Sequence, residues 1–378
     1  MNDLPDEEVS PGLRRIIGDA LATAAGWIGF DAFMALALYA PGLGYYAQDS
    51  LKFGALPYRL QDGRAVAGSD FVTAPEISPL FGQALATQIR QALEQTQTNT
   101  IWEFGAGSGA LALQLLRSWA EQGQPGPRYR IVELSATLRA RQQATLAAFA
   151  DQVQWVDVLP EQLQGVALGN EVLDAMPVKL LARVGGAWFE RGVAAAPAGA
   201  GWVWQDRPTK LRPPIEIAGE HDYLTEIHPQ AEAFIRTLAD RLVAGAAFFI
   251  DYGFPEQEYY HPQRHMGTVM CHRAHQADPD PLVLVGHKDI TAHVNFTGLA
   301  LAAQDAGLEV LGYTNQAHFL MNCGLVDLMQ AAALPARVAA HKLILEHEMG
   351  ELFKVIALGK GPLWQPLGFS QGDKTHRL

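Results

Sequence analysis

The sequence predicts an α/β protein built on a mostly parallel, Rossmann-like sheet with helices on both faces. Two observations carry this. From residue 101 onward, short apolar runs alternate with helical stretches, and most of those runs are continuously apolar, as strands buried on both faces must be. The stretch Ile101-Trp102-Glu103-Phe104-Gly105-Ala106-Gly107-Ser108-Gly109 then joins an apolar strand to a helix through a glycine cluster. Ala110 through Trp119 reads as that helix, with Leu111, Leu115, Leu116 and Trp119 on one face.

The remaining elements follow in order. Residues 11–40 read as helices, with Asp31 able to cap Phe33 through Tyr39. Pro41-Gly42-Leu43-Gly44 ends them, residues 47–70 read as a loop, and the proline-flanked segment 70–82 turns into a helix over 81–93. Strands are predicted at 101–105, 129–133, 153–157, 166–170, 246–251, 308–313 and 353–358, with helices between them at 136–149, 229–243 and 291–305 and helical residues near 325–348. Residues 180–228, with Trp188, Trp202 and Trp204 among Gly, Ala and Pro, read as a β-rich insertion. Residues 254–288 read as a second insertion, rich in Pro, His and Asp. The expected organisation is an N-terminal helical, capping region (1–95), the main domain (96–360) and a tail (361–378) without periodicity and poorly ordered.

Composition narrows the function. The chain has 378 residues, 49% of them hydrophobic, enough for a substantial core. Its 28 basic and 40 acidic residues give a formal net charge of -12, which disfavours nucleic acid and anionic membranes as partners. The 2 cysteines, Cys271 and Cys323, build no disulfide framework and suit a reducing cytoplasm. The acidic N-terminus lacks a signal-peptide pattern, and no apolar run reaches the roughly 18 residues of a spanning helix. Cys271, His272 and His275 have tempting metal spacing, but no paired cluster completes the four ligands of a structural zinc site, so no metal is expected.

The glycine turn can be read in two ways. Gly105, Gly107 and Ala110 satisfy the dinucleotide pattern G-x-G-x-x-A, the signature of a nicotinamide-dependent dehydrogenase. Glu103, Gly105, Gly107 and Gly109 satisfy acidic-x-G-x-G-x-G, a methyltransferase pattern. A carboxylate beside the turn suits the cationic methionine end of S-adenosylmethionine (SAM) better than a diphosphate, which favours the second reading. Glu133, closing the second strand, can accept from both ribose hydroxyls; alternatively it serves the start of the following helix. Asp157 closes the third strand, where a loop acid facing solvent is an equal alternative. Asn170-Glu171-Val172-Leu173-Asp174 follows the fourth strand and brings an amide and two carboxylates together. Asp251 closes the fifth, either as a functional carboxylate or as a structural one holding a turn.

Several segments together resemble the MidA family of SAM-dependent methyltransferases, which includes the mitochondrial complex I assembly factor 7 proteins. They are Tyr39-Ala40-Pro41-Gly42-Leu43-Gly44-Tyr45-Tyr46, Asp70 through Gly82, the Glu103 to Gly109 turn, Asn170 through Pro177 and Asp251-Tyr252-Gly253. Gly267-Thr268, His275 and Asp289 through Phe296 complete the set. Val269-Met270-Cys271 and Asn295 depart from the family pattern and bear on the substrate pocket. The resemblance implies a seven-stranded methyltransferase fold whose final strand pair is antiparallel, SAM as cofactor with S-adenosylhomocysteine as product, and inserted segments that bind substrate. It also implies arginine methylation of a protein partner, a respiratory-chain subunit in mitochondrial members. The expected cofactor set is Thr73, Pro75, Glu103, Gly105, Ala106, Gly107, Gly109, Glu133, Leu134, Asp157 and Asn170. The expected catalytic set is Glu76, Asn170, Glu171, Asp174 and Asp251. A SAM-binding assembly factor without catalysis is the reading from a different class.

Overall fold

The computed structural model describes residues 9–47, 58–59, 65–66, 73–197, 201–273 and 276–378. Asp70, Phe71, Val72 and His275 of the family-like segments, most of the 47–70 loop, and residues 198–200 of the alanine-rich patch lie outside them.

The central sheet has seven strands in its main path: β1 (Thr100–Phe104), β2 (Arg128–Val132), β3 (Val153–Val156), β4 (Leu163–Asn170), β5 (Leu242–Phe254), β6 (Glu309–Asn315) and β7 (Phe353–Lys360). Their order is β6-β7-β5-β4-β1-β2-β3. Neighbours from β5 across to β3 pair in parallel, whereas β7 runs antiparallel to both β5 and β6, so the final pair is antiparallel as expected. The short strand Val294–Asn295 adds a parallel pairing at the end of β5.

Strand side chains alternate between two apolar cores. Ile101, Phe248, Ile250, Val355 and Ala357 face helices Pro79–Thr96 and Ala110–Glu121. Trp102, Phe104, Ala247, Phe249, Ile356 and Leu358 face helices Pro229–Arg241 and Phe296–Asp305. Burial on both faces is the reason these strands read as unbroken apolar runs.

The first insertion is β-rich, as predicted. Lys179–Val184, Ala187–Ala195, Trp202–Pro208 and Tyr223–Ile227 form an antiparallel sheet. Trp27–Gly29, from the N-terminal region, joins the same sheet beside Ala187–Ala195. Helices Pro11–Thr23 and Phe30–Tyr39 pack on it through Leu13, Ile17, Phe33 and Leu38 against Leu180 and Val193. The N-terminal region and the insertion therefore share one core. In the second insertion, Met270–Arg273 pairs with Gln276–Asp278 and with Asp289–Thr291.

Three local expectations change. Asp31 does not cap its helix, which starts at Phe30 with Gly29 as N-cap; its carboxylate instead pairs with Lys179 at 3.0 Å. The helix expected from 291 starts at Phe296, because Asp289–Thr291 and Val294–Asn295 are taken by β-pairing, and the Asn295 side chain accepts from Gly298 N–H at 3.2 Å. The tail is packed rather than loose. Phe369 is buried in the main core, 5.3 Å from the Phe319 ring, and Gln88 accepts from Gly368 N–H at 2.7 Å. Among the described residues no helix is long and apolar enough to cross a membrane.

Phe369→Ala should therefore destabilise the whole domain by about 3–5 kcal/mol, the usual cost of emptying a buried phenylalanine site. Urea unfolding of the full chain checks this; an unchanged midpoint would mean the tail contributes nothing to the core.

Candidate active site

The ends of β1, β2 and β4 open onto a cavity of about 1060 Å³, at the upper limit of the roughly 300–1,000 Å³ typical of small-molecule sites. Its floor is the glycine turn. Gly105, Gly107 and Gly109 have φ of +63°, +52° and +83°, the left-handed region in which only glycine is free of strain. A side chain at Gly105 would also run into Val172, with a Cβ only 2.7 Å from Val172 Cγ2. Beside the turn, Glu103 is buried and accepts from the Tyr129 hydroxyl at 2.8 Å. Burial raises its carboxyl to about 7.

Of the sequence-predicted residues, Thr73, Pro75, Glu76, Glu103, Gly105, Ala106, Gly107, Glu133, Leu134, Asn170 and Glu171 line this cavity. Gly109, Asp157, Asp174 and Asp251 do not. Gly109 starts the following helix as its N-cap. Asp157 is solvent-facing, its side chain 66% exposed, and pairs with Arg139. Asp251 is fully buried, and both of its oxygens are engaged with backbone. Oδ2 accepts from the amides of Val172 (3.1 Å), Leu173 (2.8 Å) and Asp174 (3.2 Å), and Oδ1 accepts from Tyr252 N–H (2.9 Å). The turn after β4 is wrapped around Asp251, which keeps Asp251 and Asp174 behind the wall that Glu171 presents.

A family profile described as "Putative S-adenosyl-L-methionine-dependent methyltransferase" matches residues 81–314. The chain belongs to this family. It is a SAM-dependent methyltransferase, of the kind its MidA-like segments resemble. A crystal structure from Burkholderia thailandensis bound to S-adenosyl-homocysteine is 47% identical, covers 97% of this chain and 96% of that one, and superposes with a TM-score of 0.89. A second structure from the same organism is 46% identical at TM-score 0.86, with the same coverage. Curated relatives are more distant. The Danio rerio mitochondrial protein arginine methyltransferase NDUFAF7 is 27% identical over 340 residues, 81% of this chain and 75% of its own. The Caenorhabditis elegans homolog of that protein is 24% identical over 411 residues, 96% of this chain and 91% of its own.

The residues present fit a SAM-sized ligand. A glycine cradle faces the cavity, Glu133 lines one end, and Asn170 Oδ1 is a buried acceptor without a partner among the described residues while its Nδ2 donates to Glu171 Oε1 at 2.9 Å. Gln142, absent from the sequence-predicted set, ties this end together. Its Nε2 donates to Gly107 O at 3.0 Å and to Glu133 Oε2 at 3.1 Å, while its Oε1 accepts from the Trp155 indole at 2.9 Å. Ser135 N–H donates to Glu133 Oε1 at 2.8 Å. The sequence held one signal for Gln142: with Leu138 and Leu146 at i±4 it is a polar residue on the apolar face of its helix. Glu76 accepts from Ser108 within the glycine turn.

At the other end the electrostatics differ. Glu171 takes a left-handed backbone conformation (φ +54°), strained for a residue with a side chain. Its Oε1 also lies 3.4 Å from the donating Ala74 N–H. Burial, then the neighbouring Asp251, raises the Glu171 carboxyl to about 8. Burial likewise raises Asp174 and Asp251, and Asp174 is raised further by Asp251, Asp289 and Glu171. None of Glu171, Asp174 and Asp251 forms an ion pair with a basic side chain among the described residues. Around them, the Tyr39 hydroxyl donates to Ala175 O (2.8 Å), the Tyr46 hydroxyl donates to Asp289 Oδ1 (2.9 Å), and the two rings stack 5.6 Å apart.

Two outcomes follow. Gln142→Met keeps the bulk but removes both donated bonds, one of them to a carboxylate. It should weaken SAM binding about 10- to 100-fold, as expected for losing a charge-assisted bond of roughly 1.5–3 kcal/mol; calorimetric titration measures this, and an unchanged dissociation constant would deny Gln142 a positioning role. The acid cluster also sets a pH dependence. Folded Glu171 keeps its proton up to about 8, whereas its ordinary value is 4.5. Across that window the folded state binds more protons than the unfolded one, so stability falls as pH rises. Urea unfolding at about pH 6 and about pH 9 should show the decline in the wild type and a shallower one in Glu171→Gln.

Proposed function

We propose that this methyltransferase acts on an arginine side chain of a partner protein. The observation that carries the reading is the end of the cavity lined by Glu171, with Asp174, Asp251 and Asp289 as further buried carboxylates around it. A guanidinium is the cation whose planar donors match carboxylates best, often in bidentate pairs. The names of the mitochondrial relatives, protein arginine methyltransferases, support the same acceptor. A respiratory-chain subunit as partner is supported by the family resemblance alone.

In this reading Glu133 holds the ribose hydroxyls, and Gln142 fixes Glu133 relative to the glycine turn. Gly105, Ala106 and Gly107 let the backbone approach the ligand, while Thr73, Pro75 and Leu134 close around it. Asn170 Oδ1 offers its unused acceptor to a cofactor or substrate N–H. SAM supplies a methyl group activated on a sulfonium. The protein's part is alignment and electrostatics. Glu171 would orient the guanidinium and take the proton that its nitrogen sheds on methylation, the methyl–sulfur bond breaking as the methyl–nitrogen bond forms and S-adenosylhomocysteine leaving as product. A cation in the site favours the ionised carboxylate, so acceptor binding itself prepares Glu171 as the base. Asp251 is a positioning residue, because it fixes the turn that carries Glu171 without reaching the cavity. The N-terminal region and the insertions cover the acceptor side and select the partner.

The test is transfer of labelled SAM into protein in a cell lysate, followed by hydrolysis and identification of the labelled amino acid. Methylated arginine is expected; label confined to another residue or to small molecules overturns the acceptor assignment. Calorimetry should show SAM binding and no NAD binding. Glu171→Gln should leave SAM affinity unchanged and lower transfer by roughly 100-fold or more, the usual contribution of a general base. Full transfer by that variant would return Glu171 to a structural role.

A further inference from the structure

A second cleft, of about 510 Å³, lies against the acid end of the main cavity. Tyr39, Val172, Met176 and Phe234 line both spaces and so form the wall between them. We propose that this outer cleft seats the polypeptide of the methyl acceptor, whose side chain crosses the wall beside Met176 to reach Glu171. The inference rests on the protein-arginine reading and adds where the partner docks.

Position comes first. Val172 follows Glu171 directly, so the wall adjoins the proposed base, whereas no residue of the Glu133 to Leu138 segment lines the outer cleft. The outer cleft thus stands clear of the Glu133 to Leu138 segment, while its wall residue Val172 also borders Gly105. Charge agrees with a cationic occupant. Asp31 lines the cleft, and Asp31 and Glu190 share the single ammonium of Lys179, at 3.0 and 2.8 Å, which leaves that group with a net negative charge. Shape agrees as well. Helix Phe30–Tyr39 turns the small side chains of Ala32 and Ala35 to the cleft, leaving a groove rather than a packed seam.

The wall has fixed and adaptable parts. Tyr39 is held by its bond to Ala175 O and its stacking on Tyr46, and Phe234 is braced edge-on against Phe104 and Phe249 at 5.2 and 5.7 Å. Met176 carries an unbranched, three-torsion side chain that repacks at low cost, which suits it to yield when an acceptor side chain enters.

Ala32 and Gln230 are both exposed and face the cleft from opposite helices, so Ala32→Trp and Gln230→Trp fill it without disturbing the core. With the full chain, labelled-SAM transfer into lysate protein should fall by roughly tenfold or more in each variant, since small displacements of a substrate cost that much or more. The SAM dissociation constant and the thermal midpoint should stay at wild-type values. Wild-type labelling of protein arginine by both variants overturns the docking assignment and leaves the acceptor reading standing. Loss of SAM affinity in both overturns it too, because the cleft would then belong to the cofactor. If the wild type labels no protein, the acceptor reading falls and this inference falls with it.

Discussion

One buried carboxylate organises the edge of the sheet that opens onto the main cavity. Asp251 ends the apolar core of β5 and accepts four backbone amides, three of them from Val172, Leu173 and Asp174. An ionised carboxylate at zero exposure is expensive unless donors surround it. Here the donors belong to the turn after the neighbouring strand, so satisfying Asp251 and shaping that turn are the same event. The turn in turn fixes Glu171 in its left-handed conformation, sets Val172 against Gly105, and presents Asn170 to the cavity. Burial still outweighs the four amides, and the carboxyl is raised rather than lowered.

The cavity consequently has two ends of different character. At the glycine turn, Glu133 is anchored by an amide N–H and by Gln142, and the backbone itself lies open to a ligand. At the β4 end, carboxylates crowd together with tyrosine hydroxyls, and burial, reinforced by their mutual repulsion, holds protons on Glu171 and Asp174. Among the described residues no basic side chain pairs with Glu171, Asp174 or Asp251, so these acids are favoured while protonated or while a cation fills the end. This is the physical basis for placing a cationic acceptor there, and the same burial and repulsion make stability fall as pH rises.

The segments outside the central sheet are not independent appendages. Trp27–Gly29 completes the insertion sheet, and Tyr39 and Tyr46 reach from the N-terminal region to Ala175 and Asp289. A change in the insertion core is therefore felt at the cavity wall through helix Phe30–Tyr39, which packs on that sheet with one face and borders the outer cleft with another.

The sequence by itself determined the α/β class, the seven strands, the glycine turn and the acidic residues at the strand ends. Those features are local: burial on both faces writes continuous apolar runs, and left-handed backbone favours glycine, so each leaves a mark within a few residues. It also determined that residues 180–228 are β-rich. Only the tertiary structure decided which acids face the cavity. Asp157, Asp174, Asp251 and Glu171 all lie at or near strand ends and look alike along the chain, yet three of the four amides that capture Asp251 come from residues 77 to 79 positions away. Gln142 joins Gly107 to Glu133 across 35 and 9 positions, and its helix shows only one polar residue out of place. Asp31 looked like a cap because caps are local, and became an ion-pair partner because Lys179 arrives from a distant strand. Side-chain direction at a strand end depends on which distant donors reach it first, and sequence spacing carries no record of that.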